Sequence, residues 1–212
     1  MLILFLFLSI FVKSDFVLDG FTYHILESQN NEVQIVNCSI TAQNITVPST
    51  VRNEKIDYQV TSIAKKSFSI CNSSLTEIYF PHTLQEIEEE VFKGFRQLQK
   101  IGYIDSNGQQ IQHTFPPLMT QLKKGVFQNC DQLQTIDLNN IIEIGAHCFE
   151  QCSVISEVKM RVVEIIGPFS LASIQLLINL ELPSTLREIQ EFAFSKTAIV
   201  NITGDASNLE II

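Results

Sequence analysis

Reactive side chains in this sequence are few and scattered. Five cysteines, four histidines and one dense run of glutamates carry the groups that metal, redox or acid–base chemistry would need. Cys71, Cys130 and Cys152 each stand three residues after a phenylalanine, at Phe68, Phe127 and Phe149. A recurring position of that kind asks for a small buried apolar side chain, which a free thiol supplies. If the chain is exported, a disulfide is the competing reading. Cys130 and Cys152 would then be stacked neighbours, able to bridge only if their Cβ vectors converge. Cys148 reads as a further inward position, and Cys38 has no evident partner. His24, His82, His113 and His147 show no metal-ligand spacing. Glu86, Glu88, Glu89 and Glu90 lack the alternating Asp/Asn-Gly loop of a calcium site and read as a solvated face at a helix start. There is no nucleophile elbow, phosphate loop or acid/base pair, so the sequence predicts no enzyme, no cofactor and no metal.

The order in this chain lies in its apolar residues. The spaced pattern Ile-x4-Phe-x2-Cys-x2-Leu-x2-Ile-x-Leu recurs, with its first position at Ile63, Ile87, Leu122, Ile144, Ile166, Ile189 and Ile212. The steps are 24, 35, 22, 22, 23 and 23 residues. Five residues after the first six of these stand Phe68, Phe92, Phe127, Phe149, Leu171 and Phe194. A period of this size predicts a solenoid whose repeats cannot stand alone and are stabilised by stacking. Within a unit, Leu75-x-x-Ile78-x-Phe80 or Leu133-x-x-Ile136-x-Leu138 alternates like a main strand. The Phe-x2-Cys portion has three- and four-residue spacing and predicts one or two turns of helix. Segments such as Leu84–Ile87 and Leu186–Ile189 predict a short second strand.

Residues 1–14 read as a secretory signal peptide. Of the twelve residues before Lys13 all but Ser9 are apolar, a run too short for a bilayer span of about 20 residues. Residues 15–59 read as an N-terminal cap and a degenerate first repeat, with a hairpin formed by Gly20–Ile25 and Val33–Val36. Residues 60–212 hold about six repeats. The long step is attributed to a loop inserted at 105–117, which carries the turn signal Asn107-Gly108 and the extended exit Pro116-Pro117. It is expected to project from the solenoid edge. No apolar stretch of membrane length follows Thr203, so the mature chain is expected to lack a transmembrane segment. The sequence ends inside the start of another repeat, which fits either a short protein or a fragment. A net charge of −9 with no compensating basic run argues against nucleic acid.

Ile144–Cys152, Ile189–Phe194 and Leu182–Ile189 carry a resemblance to the BspA-like leucine-rich-repeat surface proteins of bacteria and mucosal protists. It covers roughly residues 45–212. The resemblance implies an exported protein, secreted or at the cell surface, that adheres to host tissue or other microbes, and it brings no catalytic residues. The chain departs from the pattern in lacking a membrane anchor and in having Phe95, Ile174 and Thr197 at the repeat cysteine. The expected fold is therefore an α/β solenoid of leucine-rich-repeat type. It would be right-handed, with a parallel main sheet, short helices and a hairpin-like N-terminal cap.

If Ile78 and Phe80 point inward, their neighbours point out onto the concave face. That register predicts a polar partner-binding ladder of Glu77, Tyr79, Lys100, Thr135, Asp137, Glu157, Lys159, Arg161, Asn179 and Glu181, continued by Gly102, Asn201 and Thr203. The expected partner is a protein or glycan on a cell or matrix surface. The alternative is a non-binding structural or truncated piece of a longer membrane-anchored protein. Four Asn-x-Ser/Thr sequons, at Asn37, Asn44, Asn72 and Asn201, are expected glycosylation sites. The gap from Cys71 to Leu75 is one residue longer than in later units, so Asn72 is expected to bulge outward. Asn201 is expected on the concave sheet.

Overall fold

The computed structural model describes residues 15–28 and 30–210. The expected signal peptide and the last repeat position, Ile212, lie outside the described residues.

The chain winds as a β-solenoid with two parallel sheets along its length. On the second sheet, Ile56–Ile63 pairs with Glu86–Ile87, and Gln121–Leu122, Glu143–Ile144, Ile165–Ile166 and Glu188–Ile189 follow one another in parallel. The repeat isoleucines face each other in register: Ile63 with Ile87, and Leu122, Ile144, Ile166 and Ile189 in succession. The main sheet stacks Asn44–Thr46, Glu77–Pro81 and Lys100–Ile104, then Thr135–Asp137 with Glu157–Lys159, then Asn179–Leu182 with Asn201–Gly204. At the N-terminus Phe21–Ile25 pairs antiparallel with Glu32–Cys38, and Phe16–Leu18 adds at the outer edge. Glu32–Cys38 then runs parallel to Ile56–Ile63, so the hairpin extends the second sheet and covers that end of the stack.

Inside, one phenylalanine per repeat forms a continuous column. Phe68 and Phe92 have ring centroids 5.3 Å apart. Phe92 stacks on Phe127 at 5.5 Å, and Phe127 on Phe149 at 5.6 Å, with interplanar angles of 8° and 5°. All four rings are fully buried. Identical residues recurring at one height put identical rings face to face, in the offset geometry aromatic pairs favour.

The expected α/β character is not found. Among the described residues one short 3-10 helix, Ser69–Ser73, is the only helical element. It falls where the Cys71-to-Leu75 gap carries its extra residue. Elsewhere the Phe-x2-Cys portion is a run of consecutive β-turns, as in Lys93 N–H to Glu90 C=O and Phe95 N–H to Phe92 C=O. The cause is a pair of left-handed residues in each turn run: Glu90 and Gly94, Gly125 and Asn129, His147 and Gln151, Phe169 and Ser173, Phe192 and Lys196. A left-handed residue interrupts an α-helix and turns its peptide groups sideways. The freed donors reach the next repeat instead: Gly125 N–H to Ala146 C=O at 2.9 Å, Phe127 to Cys148 at 2.9 Å, and Asn129 to Glu150 at 2.8 Å. An isolated helix of two turns is marginal, whereas this ladder satisfies the same donors and also joins the repeats.

The insertion also departs from expectation. Its turn forms at Asp105–Gln109, where the Asp105 carboxylate accepts the Asn107 and Gln109 N–H groups. The chain does not then project from the edge. Gln110–Gln112 returns antiparallel to Lys100–Ile104, His113 donates to Ile101 C=O, and Asp137 donates to His113 C=O. Thr114 bridges in parallel to Asp137, and Phe115 is fully buried against Phe127, 5.8 Å between ring centroids. The inserted residues therefore supply a rung between two repeats, with Phe115 and Pro116 buried and the tip and the Gln110 and Gln112 side chains in solvent.

Candidate concave-face site

Within each strand pair the register sets predicted residues side by side. Glu77 lies beside Lys100, Thr135 beside Glu157, Asp137 beside Lys159, and Asn179 beside Asn201. The inserted rung divides this face in two, because its return strand curls over the inner side of Lys100–Ile104. A Cβ built on Gly102 would lie 2.3 Å from the Ile111 carbonyl oxygen, so only glycine lets the strand come this close.

Under that cover, Tyr79 is only 4% exposed. Its hydroxyl donates to Glu77 Oε2 at 3.3 Å and accepts from Gln112 Nε2 at 3.5 Å. Burial, and then the Glu77 carboxylate, push the phenol above its ordinary value. The expectation that Tyr79 stands free for a partner fails, because residues 110–112 shield it. Lys100 Nζ donates to Glu77 Oε1 at 2.8 Å, and that bond raises the ammonium above its ordinary value. Glu77, Tyr79 and Lys100 thus form an internally satisfied cluster.

Beyond the rung the face is open. Thr135 and Asp137 are half-buried, and Asp137 Oδ1 caps the following turn by accepting the Asn139 N–H at 2.9 Å. Glu157, Lys159, Arg161, Asn179 and Glu181 are exposed. With Thr203 they line a shallow groove of about 720 Å³. Lys159 Nζ lies 3.4 Å from Glu157 Oε1, while Arg161 forms no ion pair among the described residues. Sequence reasoning missed five groove residues, Asn139, Ser156, Val158, Met160 and Leu180. Asn139 and Ser156 sit in the turns at strand ends, where the alternating pattern gives no direction.

The sequons take different places. Asn37 is exposed beside Cys38, and Asn72 is half-buried in the 3-10 helix. Asn44 and Asn201 both lie on the main sheet, in register with Glu77 and Asn179 respectively, so they stand toward opposite ends of the ladder. Asn201 Nδ2 donates to Asn179 Oδ1 at 2.8 Å.

All five cysteines are buried thiols in the structure. Cys130 Sγ donates to the Phe92 carbonyl at 3.2 Å and Cys152 Sγ to the Phe127 carbonyl at 3.1 Å, which ties each thiol to the preceding repeat. Cys38, expected to be without a partner, lies 3.4 Å from Cys71, sulfur to sulfur. No group of three or more metal-ligating side chains is found among the described residues. Nor does any helix there have the length and apolarity to cross a membrane.

Two parallel sheets, a stacked phenylalanine column and a polar inner face define a leucine-rich-repeat type β-solenoid. The chain belongs to the BspA type leucine rich repeat family, whose repeat matches in six copies over residues 37–115 and 105–212. Comparison with curated proteins gives no match. Among solved structures, the chain is similar to a leucine rich cell surface protein of Faecalibacterium prausnitzii, with a TM-score of 0.71 at 19% identity, over 92% of this chain and 55% of that one. It is also similar to the pneumococcal vaccine antigen PcpA, with a TM-score of 0.73 at 16% identity, over 93% and 51% of the two chains. A leucine-rich repeat protein of Bacteroides ovatus gives 0.64 at 20%, over 93% and 58%. At these identities the likeness is one of fold, and the chain spans little more than half the length of each relative.

Proposed function

We propose that this protein is an exported, surface-acting binding module that docks a protein partner on the open concave face between Thr135 and Thr203. The observation that carries this reading is the row of exposed polar residues Glu157, Lys159, Asn179 and Glu181 on two adjacent strand pairs, with Arg161 just beyond the strand Glu157–Lys159. Solenoids use such extended inner surfaces for partners. The mixed charges favour a partner surface of alternating sign over a single-sign polymer. A protein is favoured over a glycan because no exposed aromatic ring stands on the ladder to stack against sugar. The cell-surface relative of the same fold agrees with action outside the cell.

The test is a triple charge reversal, Glu157→Lys, Lys159→Glu and Arg161→Glu, probed on an array of extracellular matrix proteins and glycans. Wild-type protein should bind at least one protein spot, and the variant should bind it about tenfold more weakly while keeping its circular dichroism spectrum. Undiminished binding by the folded variant would remove this face from consideration. A purely structural role predicts no captured protein at all.

Glycosylation provides a second check. A sugar on Asn201 would cover the end of the open face and crowd the bond to Asn179, whereas Asn72 lies away from the main sheet. High occupancy is expected at Asn72 and low occupancy at Asn201. Mass spectrometry of protein secreted from a glycosylating host decides this. A fully occupied Asn201 would displace the docking face toward Thr135 or onto the tip of the insertion.

A further inference from the structure

We infer that Cys38 and Cys71 are a disulfide-forming pair that covalently locks the N-terminal cap to the first repeat. Cys38 ends the strand Glu32–Cys38 and Cys71 lies within the 3-10 helix Ser69–Ser73. Their sulfurs stand 3.4 Å apart, both side chains fully buried. Closing that gap to the roughly 2 Å of a disulfide needs side-chain rotation of about an ångström and no rearrangement of the sheets. The backbone already fixes the approach, since Cys38 N–H donates to Ser67 C=O at 2.7 Å and Cys71 N–H to Phe68 C=O at 2.9 Å.

The pair also has the asymmetry that exchange chemistry uses. The Cys71 thiol can donate to Cys38 Sγ or to the Ile40 carbonyl at 3.1 Å. Donation to Cys38 holds that thiol below its ordinary value, and the same bond together with burial pushes Cys71 up. In the exchange either sulfur can attack first, and one balanced course has Cys38 attacking and Cys71 resolving. With oxidised glutathione as oxidant, the Cys38 thiolate attacks one glutathione sulfur and expels a glutathione thiolate. Cys71 loses its proton to solvent, attacks the Cys38 sulfur of the mixed disulfide and expels the second. Two protein thiols become one disulfide, and one oxidised glutathione becomes two reduced ones. Because both sulfurs are sealed in the finished fold, exchange takes place while the cap docks.

The pair joins two parts of the fold that otherwise meet through backbone ladders, apolar packing and hydrogen bonds such as Thr76 Oγ1 to the Gln43 carbonyl. Cys130 and Cys152 lie deeper in the stack, where each thiol donates to a carbonyl of the preceding repeat. The inference does not depend on the proposed binding face and stands or falls without it.

The test is to reduce and denature the full chain, refold it in an oxidised/reduced glutathione buffer, alkylate the remaining thiols and map the peptides without reductant. The expected result is one Cys38–Cys71 linked peptide, with Cys130, Cys148 and Cys152 alkylated. Reduction should then lower the thermal midpoint by about 5–10 °C, and a Cys38→Ala variant should show no such redox-dependent shift. Five alkylated cysteines, or a bridge through Cys130, Cys148 or Cys152, would overturn the inference. The wild-type peptide map decides the matter even if the variant does not fold.

Discussion

Phe127→Ala is expected to destabilise the protein by about 3–5 kcal/mol and to divide its unfolding into two separate transitions. Phe127 is fully buried in the middle of the phenylalanine column, stacked on Phe92 on one side and Phe149 on the other, and Phe115 of the inserted rung packs against it. Truncation removes three ring contacts at once and leaves a cavity at the joint where the inserted rung enters the stack. In a solenoid each repeat touches only its neighbours, so a weakened joint uncouples the flanks as well as lowering the sum. Urea denaturation followed by circular dichroism, with hydrogen exchange to locate the transitions, measures both effects. Phe194→Ala is the control, because Phe194 is only half-buried near the far end of the stack. Equal losses for the two variants, with one shared transition, would show that the column does not couple the repeats.

Gly102→Val should release the inserted hairpin while leaving the remaining repeats folded. Even a methyl group there meets a backbone carbonyl at 2.3 Å, with Gln112 Cα and Tyr79 Cδ1 both at 3.2 Å. A backbone atom cannot rotate aside, so overpacking is relieved by lifting Gln110–Gln112 from its partner strand, at a cost of about 1–3 kcal/mol. Tyr79 then becomes exposed. The chain has no tryptophan, so tyrosine emission reports the change directly through increased quenching by acrylamide. Hydrogen exchange at Ile111 and His113 should accelerate in parallel. Unchanged protection at those amides would mean that the return strand is not held by close approach at Gly102.

Much of this architecture was legible in the amino-acid order. The repeat period fixed which residues stack, because identical inward side chains can fill a shared core only when repeats align in register, as Ile144, Ile166 and Ile189 do. Alternation within the main strand assigned Glu157 and Lys159 to one face and Val158 to the other, since successive strand residues point to opposite sides. The Phe-x2-Cys portion was misread as helix because three- and four-residue apolar spacing is common to a helix and to a run of β-turns. Nothing local separated them, as most left-handed positions carry ordinary side chains such as Glu90, His147 and Phe169. Tertiary structure decided the matter through hydrogen bonds that exist only once the next repeat is in place. The same holds for the cover over Tyr79 and for the contact between Cys38 and Cys71. Each joins residues 33 positions apart, across chain whose path is set by the sheets and not by its own sequence pattern.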